Sequence, residues 1–311
     1  MCLTNLNLEN PKLESISVFA ESVGKAIRRK RPELKVTVKQ MPKNNGSFLT
    51  GILLFREQSK VSPLIYLENF YERYNRGLAL EAVTEEILAW YGEGLADVVL
   101  PDTESWLYDF AKVKEQILYK LVNYKLNEKD LESVPHIRFH DLAIVFHILI
   151  DQTDDGIASL KMKNELLELW GVSLRELFQI AHANTGRLFP AKIYKMADII
   201  GKFTEESPTG QMDLKTPMYI ATNQMTIDGA AVILYENLLK AFSISINGDF
   251  FILPSSLHEV ILIPASDEMD AEELREIVTE INRTEVDAKD VLSDTVYRYD
   301  AAKDAVLIAA R

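Results

Sequence analysis

The sequence predicts an α+β fold, in which antiparallel hairpins are interleaved with amphipathic helices. Pairs of strand-like apolar runs are joined by short polar turns, which is the pattern of β-hairpins. Stretches with apolar residues at helical spacing separate these pairs. Because strands and helices follow one another without a regular βαβ rhythm, antiparallel pairing is favoured over a doubly wound parallel sheet.

The N-terminal part predicts a helix followed by a hairpin. Apolar residues recur at i, i+3 and i+4 over residues 13–29, as on the buried face of a helix. Leu34, Val36 and Val38 alternate with polar residues, which predicts a half-buried strand. Phe48–Phe55 returns as the second strand after a turn. The elements expected next are a short strand over 63–67 and helices over 68–76 and 78–91.

The middle of the chain predicts a second hairpin and a capped helix. Two apolar runs, Leu142–Ile150 and Ile157–Met162, flank an acidic segment that ends in Asp-Gly, a pair of residues suited to a tight turn. Ser173 and Glu176 have the spacing of a capping box and therefore predict the start of a helix. The other elements expected here are a helix over 104–114, a strand over 117–124 and an extended segment over 189–194.

The stretch 217–286 contains the largest set of apolar residues that we expect to be buried. Asp228 is predicted to cap a nearly all-apolar helix that ends at Phe242 and packs on a mixed or antiparallel sheet. Strands are predicted at 250–253 and 260–263, joined by the polar turn 254–259. The remaining expected elements are a helix capped by Asp270 and Glu273 and a closing hairpin formed by 295–299 and 305–309.

Composition limits the classes of function. The chain has 311 residues, a formal net charge of −13 and one cysteine. The acidic balance disfavours broad binding to nucleic acid or anionic membranes, and one cysteine excludes an intrachain disulfide. The apolar runs are too short to span a membrane and the N-terminus does not resemble a signal peptide, so we expect a cytoplasmic protein.

Two regions are predicted within this length. Gly92, Gly94 and Pro101 interrupt the helical pattern, and we place a boundary there between an N-terminal α/β-hairpin region, residues 1–97, and a main α+β region, residues 98–311. No flexible linker marks the boundary, so one continuous domain is the alternative.

Five blocks resemble the bacterial family catalogued as domain of unknown function 5688. The blocks are SPLIYLENFYERYNRG (62–77), VPHIRFHDLAIVF (134–146), MKNELLELWGVSLRELFQIAHANTGRLFP (162–190), FFILPSSLHEVILIP (250–264) and LSDTVYRYD (292–300). The resemblance implies one shared architecture from about residue 63 onward, and it implies no activity, ligand or catalytic residue. A more distant likeness, over 218–264, is to the uncharacterised family numbered 1444.

The turn between the two central strands holds the candidate catalytic residues. It offers hydroxyl, imidazole and carboxylate groups within a few residues, which are the groups of a nucleophile–base pair. The same residues also suit a structural turn, in which serine hydroxyls bond to the backbone. The candidates are Ser255, Ser256, His258 and Glu259.

Three further sets of residues are candidates for binding. Asn184 and Arg187, with Thr185 between them, form a polar cluster that could join the His258 turn. Eight Lys/Arg and one acid lie between Lys25 and Lys43, and an ordinary solvated surface is the alternative to an anion contact there. The candidate residues of that basic segment are Arg28, Arg29 and Arg31. The candidate metal ligands are His136 and His140, four residues apart but without the H-E-x-x-H pattern of zinc enzymes.

No phosphate-binding loop or dinucleotide fingerprint occurs in the sequence, so we expect no cofactor. The favoured hypothesis is a non-enzymatic protein that binds an unidentified protein or small-molecule partner. The first alternative is a hydrolase-like enzyme that uses the His258 turn. The second alternative is association with nucleic acid through the basic segment 25–43, which the acidity of the whole chain disfavours.

Overall fold

A computed structural model gives the structure of the protein. It describes residues 15–56, 64–94, 103–153, 156–203, 216–254 and 256–311. The chain divides into two compact units, Met1–Pro101 and Asp102–Arg311. Helices and antiparallel sheets occur in both units, which confirms the predicted α+β class. The finer domain boundary after residue 97 stays a prediction.

The first unit packs helices on a three-stranded antiparallel sheet. The predicted hairpin is confirmed, because Val36 pairs with Leu54 and Val38 with Ile52 in the two strands. The apolar face of the first helix meets this sheet, with Phe19 fully buried. The elements are α1 (Ile16–Lys30), β1 (Lys35–Pro42), β2 (Phe48–Phe55), β3 (Leu64–Tyr66), α2 (Glu68–Asn75) and α3 (Leu80–Gly94).

The second unit holds two antiparallel sheets and eight helices within the part of the chain that the structure describes. Its helices are α4 (Thr103–Tyr108), α5 (Phe110–Val113), α6 (Glu128–Leu131), α7 (Asn164–Trp170), α8 (Leu174–Leu188), α9 (Met196–Phe203), α10 (Leu238–Ile246) and α11 (Ala271–Thr284). Its strands are β4 (Ile117–Asn123), β5 (His136–Phe139), β6 (Leu142–Thr153), β7 (Gly156–Lys161), β8 (Ala191–Lys195), β9 (Tyr219–Asn223), β10 (Phe250–Leu253), β11 (Val260–Pro264), β12 (Val296–Asp300) and β13 (Ala305–Ala310).

Strand β6 organises the smaller of these two sheets. It pairs with β4 along one edge and with β5 and then β7 along the other. Because side chains alternate along a strand, Ile144, Phe146 and Ile148 face the main core of the unit, while Val145 and His147 face the opposite side. The larger sheet has the strand order β13-β12-β10-β11-β9-β8. In the smaller sheet, β4 pairs with β6 alone among the described strands, so β4 is an edge strand.

The prediction of one helix from Asp228 to Phe242 is wrong for the first half of that segment. Gly229–Leu234 forms a 3₁₀-helix, and α10 begins only at Leu238. Asn237 precedes α10 with a left-handed φ of 59°, so the two segments are not one continuous helix. An all-apolar run does not distinguish a buried 3₁₀ segment from a buried α-helix, since both bury every side chain.

Asp228 is not the N-cap that the sequence predicted. Its φ is 51°, and its side chain makes no capping hydrogen bond. Ser173 and Asp270 are confirmed as N-caps, because the Ser173 hydroxyl accepts from the Glu176 amide and the Asp270 carboxylate accepts from the Glu272 amide. The helix predicted over 104–114 is interrupted, since Asp109 caps a new helix there.

Candidate functional site

A pocket lies in the second unit where the edge strand β4 faces the loop that follows β9. The space between its walls, including the part open to solvent, is about 400 Å³. Its polar lining comes from β4, β6, β7, α8 and the loop over 223–228. The apolar side chains of its walls are Leu118, Tyr119, Ile157, Phe189 and Ile227.

His147 brings a buried imidazole to this pocket. It lies in the middle of the apolar strand β6 and is only 8% exposed. Its Nδ1 is 3.3 Å from Ser159 Oγ, and its Nε2 has no hydrogen-bond partner among the described residues. Burial and the positive charges of Lys120 and Lys161 hold the pKa of His147 well below its usual value. The imidazole is therefore neutral at pH 7.

A half-buried ion pair lies beside His147. Lys120 Nζ is 3.3 Å from Asp228 Oδ2, with side chains 23% and 32% exposed. The Asp228 backbone N–H donates to His258 Nδ1 over 3.2 Å. Residue 228 thus contacts the pocket through its side chain and the turn after β10 through its backbone.

The loop that carries Asp228 is held in place by its own hydrogen bonds. Asn223, which is buried, donates from Nδ2 to the Ile227 carbonyl over 2.7 Å, and its Oδ1 accepts from the Met225 amide. A Cβ on Gly229 would lie 2.1 Å from Thr222 Oγ1, so only glycine fits where the loop ends. This wall of the pocket is therefore preformed.

Thr185 and Tyr119 position another wall of the pocket. The Thr185 hydroxyl accepts from the Tyr119 amide over 3.0 Å and donates to the Ala181 carbonyl over 2.7 Å. The Tyr119 hydroxyl donates to the Ala231 carbonyl over 3.3 Å, and burial raises the pKa of Tyr119. These hydroxyls are engaged within the protein, whereas His147 Nε2 and part of the donor capacity of Lys120 are not used by any described residue.

The predicted catalytic turn has a different hydrogen-bond pattern from a nucleophile–base pair. Ser255 lies outside the described residues. Ser256 Oγ donates to Glu259 Oε1 over 2.7 Å and accepts from the His258 amide. The imidazole instead meets the backbone N–H of residue 228 at Nδ1 and Asp290 at Nε2, the latter at 3.6 Å. The described contacts therefore do not join the Ser256 hydroxyl to a ring nitrogen.

The cluster around Asn184 fastens α8 to the segment that leads into β4. Asn184 Nδ2 donates to the carbonyls of Lys114 and Ile117 over 2.7 and 3.0 Å. Arg187 donates to the Glu115 carbonyl and to Asn184 Oδ1, both over 3.2 Å. These contacts are not with the His258 turn, although Thr185 of the same cluster lines the pocket.

The two histidines proposed as metal ligands have separate backbone partners. His136 Nδ1 is 3.0 Å from the Val134 carbonyl, whereas His140 Nε2 is 3.0 Å from the Val306 carbonyl. Across the described ranges, no group of three or more His, Cys, Asp or Glu side chains could hold a metal ion.

The basic segment lies in the first unit, at the end of α1 and along β1. Arg28 donates to the Val36 carbonyl over 3.0 Å, and Arg31 pairs with Glu33. Arg29 is exposed. Part of the positive charge is therefore compensated or bound to the backbone.

Sequence reasoning named Thr185 but missed the other polar residues that line the pocket as candidates for binding. His147 was the one signal that could have identified the pocket, since an imidazole inside an apolar strand needs a hydrogen-bond partner from the protein or from a ligand. Lys120, Ser159 and Asp228 carry no motif, because five separate parts of the chain meet there.

Among the described residues, no helix is both long and apolar enough to cross a membrane. Comparison with curated proteins found no match, and comparison with solved structures found none. Residues 16–301 match the family described as "Family of unknown function (DUF5688)", which confirms the resemblance inferred from the sequence blocks. The match covers nearly the whole chain, and the chain therefore belongs to the DUF5688 family.

Proposed function

We propose that the protein is a non-enzymatic binding protein that holds a small molecule in the pocket beside His147. One observation carries the proposal, namely that His147 lines the pocket while its buried Nε2 has no hydrogen-bond partner among the described residues. A buried polar atom without a partner costs about 1–3 kcal/mol, and native proteins leave few of them. A ligand atom that bonds to Nε2 would remove this cost. The single cysteine fits a reducing compartment, and we place the activity in the cytoplasm.

A hydrolase remains the alternative, and the contact between Ser159 Oγ and His147 Nδ1 is the observation that favours it. A serine nucleophile needs a base that becomes a stable imidazolium when it takes the proton. The charges that act most strongly on His147 are those of Lys120 and Lys161, and both oppose an imidazolium. Binding therefore fits the electrostatics of the pocket better than acyl transfer does.

The proposal is tested by the small molecules that co-purify with the protein. Wild type, His147→Phe and His136→Phe are purified under mild conditions, and their extracts are compared by mass spectrometry. We expect a compound with the wild type and with His136→Phe that is lost from His147→Phe, because phenylalanine fills the space but offers no nitrogen. His136→Phe is the matched control, since its ring bonds to the Val134 carbonyl and does not line the pocket.

Thermal unfolding of the three proteins shows whether each variant is folded. Identical extracts from all three proteins would contradict the binding function. Steady cleavage of a fluorogenic ester by the wild type, abolished in Ser159→Ala, would favour the hydrolase instead.

A further inference from the structure

We propose that the ligand is a small carboxylate with an apolar body, held by the Lys120 ammonium and the Nε2–H of His147. The inference rests on the proposed function, because it names the ligand class of the same pocket. It depends on the donors that are still free in the pocket, on the charges around them and on the apolar walls.

Lys120 has donor capacity that its present partner does not use. An ammonium group has three N–H donors, and among the described residues Lys120 Nζ makes one hydrogen bond, to Asp228 Oδ2. That contact of 3.3 Å is longer than the 2.7–2.9 Å typical of charge-assisted hydrogen bonds. Lys120 Nζ can therefore donate to a carboxylate of the ligand without losing its contact with Asp228.

His147 supplies the second donor when its proton is on Nε2. The Ser159 hydroxyl rotates freely and can donate to Nδ1, which places the ring proton on Nε2 in the neutral imidazole. His147 lies opposite Leu118 on the neighbouring strand, so Lys120 is its diagonal neighbour. Diagonal neighbours on antiparallel strands are about 7–8 Å apart. A carboxylate placed between the two side chains can accept from one with each oxygen.

The charges around the donors favour a monoanion over a dianion. Lys120 is partly compensated by Asp228, and Lys161 pairs with Asp130 over 2.8 Å. One negative charge is attracted to Lys120, whereas a second would add to the repulsion from Asp228. This excludes a doubly charged phosphate as the preferred ligand.

The remaining walls of the pocket suit an apolar body. Leu118, Ile157, Phe189 and Ile227 present side chains without hydrogen-bonding groups. The cavity itself is about 30 Å³, so the part of the ligand that enters it is small and the rest extends towards solvent.

Benzoate, benzamide and benzylamine test the proposal, since they share one ring and differ in charge. Each is titrated into the full chain, and binding is followed by calorimetry and by long-range proton–nitrogen correlations of the five imidazoles. We expect benzoate to bind at least about tenfold more tightly than the other two and to shift the nitrogen resonances of His147. Its affinity should change little between about pH 8 and about pH 6, because His147 stays neutral over this range.

Lys120→Met should weaken benzoate binding about tenfold or more. Lys161→Met is the matched control, because Lys161 lies on the same sheet but does not line the pocket, and it should change the affinity less than about threefold. The tautomer of His147 is read from the unmodified protein, so this part of the test does not depend on the folding of a variant.

The outcomes separate the ligand class from the function. Tighter binding of benzylamine or benzamide than of benzoate, or an imidazole proton found on Nδ1, would overturn the carboxylate and leave a small-molecule binding protein. If none of the three compounds shifts His147 and no compound co-purifies with the wild type, both proposals are wrong.

Discussion

Acidification should destabilise the protein through His147. Burial, Lys120 and Lys161 keep this imidazole neutral in the folded state, whereas in the unfolded chain it has a pKa of about 6.5. The folded-state pKa is thus the lower one, and the unfolded chain binds the proton first as the pH falls. The stability that depends on a neutral His147 is therefore fully present above about pH 6.5 and is lost progressively below it.

The size of this effect follows from proton linkage. Below about pH 6.5, each further pH unit costs about 1.4 kcal/mol until the folded-state pKa is reached. Between about pH 7.5 and about pH 5.5, His147 alone should lower the free energy of unfolding by about 1.4 kcal/mol. For a unit of this size, that loss lowers the melting temperature by roughly 3–6 °C.

The assay compares the wild type with His147→Phe at both pH values by urea unfolding. Other carboxylates and histidines titrate equally in both proteins, so the difference between them isolates residue 147. His136→Phe should keep the pH dependence of the wild type. The reasoning is refuted if His147→Phe loses as much stability on acidification as the wild type does. A protonated His147 detected in the folded protein above about pH 6.5 would refute it as well.

Three further substitutions, one of them with a control, test the core and the wall of the pocket by chemical unfolding. Gly229→Ala should cost about 1–3 kcal/mol or more, because its Cβ would overlap Thr222 Oγ1; unchanged stability would mean that the loop is not held as described. Ile233→Ala, at a site 4% exposed, should cost about 2–5 kcal/mol. The control Ile244→Ala, at a site 73% exposed, should change stability by less than about 0.5 kcal/mol. Equal losses would contradict the buried 3₁₀-helix. Asp141→Ala should cost at least about 2 kcal/mol, because three hydroxyls donate to this carboxylate; a neutral result would show that those hydroxyls find other partners.

Much of the fold could be predicted because paired strands such as β1 and β2, or β6 and β7, follow one another closely in the sequence. Val36 and Val38 indicated β1, and the apolar runs around an Asp-Gly pair indicated β6 and β7. The break at Asn237 was missed, although Glu236 and Asn237 interrupt the apolar residues on both sides. Asparagine is one of the few residues that adopt the left-handed region readily.

The pocket was beyond sequence reasoning for a different physical reason. Its polar atoms come from β4, β6, β7 and the loop after β9, and their approach depends on strand register. His147 reaches the pocket because it pairs opposite Leu118. A shift of one residue along β6 would place it in the main core. Spacing along the chain carries no information about that register.

The His258 turn and the pocket are linked through a single residue, Asp228. The amide of residue 228 donates to His258 Nδ1, and the carboxylate of the same residue pairs with Lys120. The left-handed backbone of Asp228 allows both contacts, and it costs free energy in a residue other than glycine. His258 helps to offset this cost by accepting an otherwise unpaired amide. The imidazole that the sequence singled out for chemistry thus acts, in this geometry, to hold the counter-ion of the lysine that we assign to ligand binding.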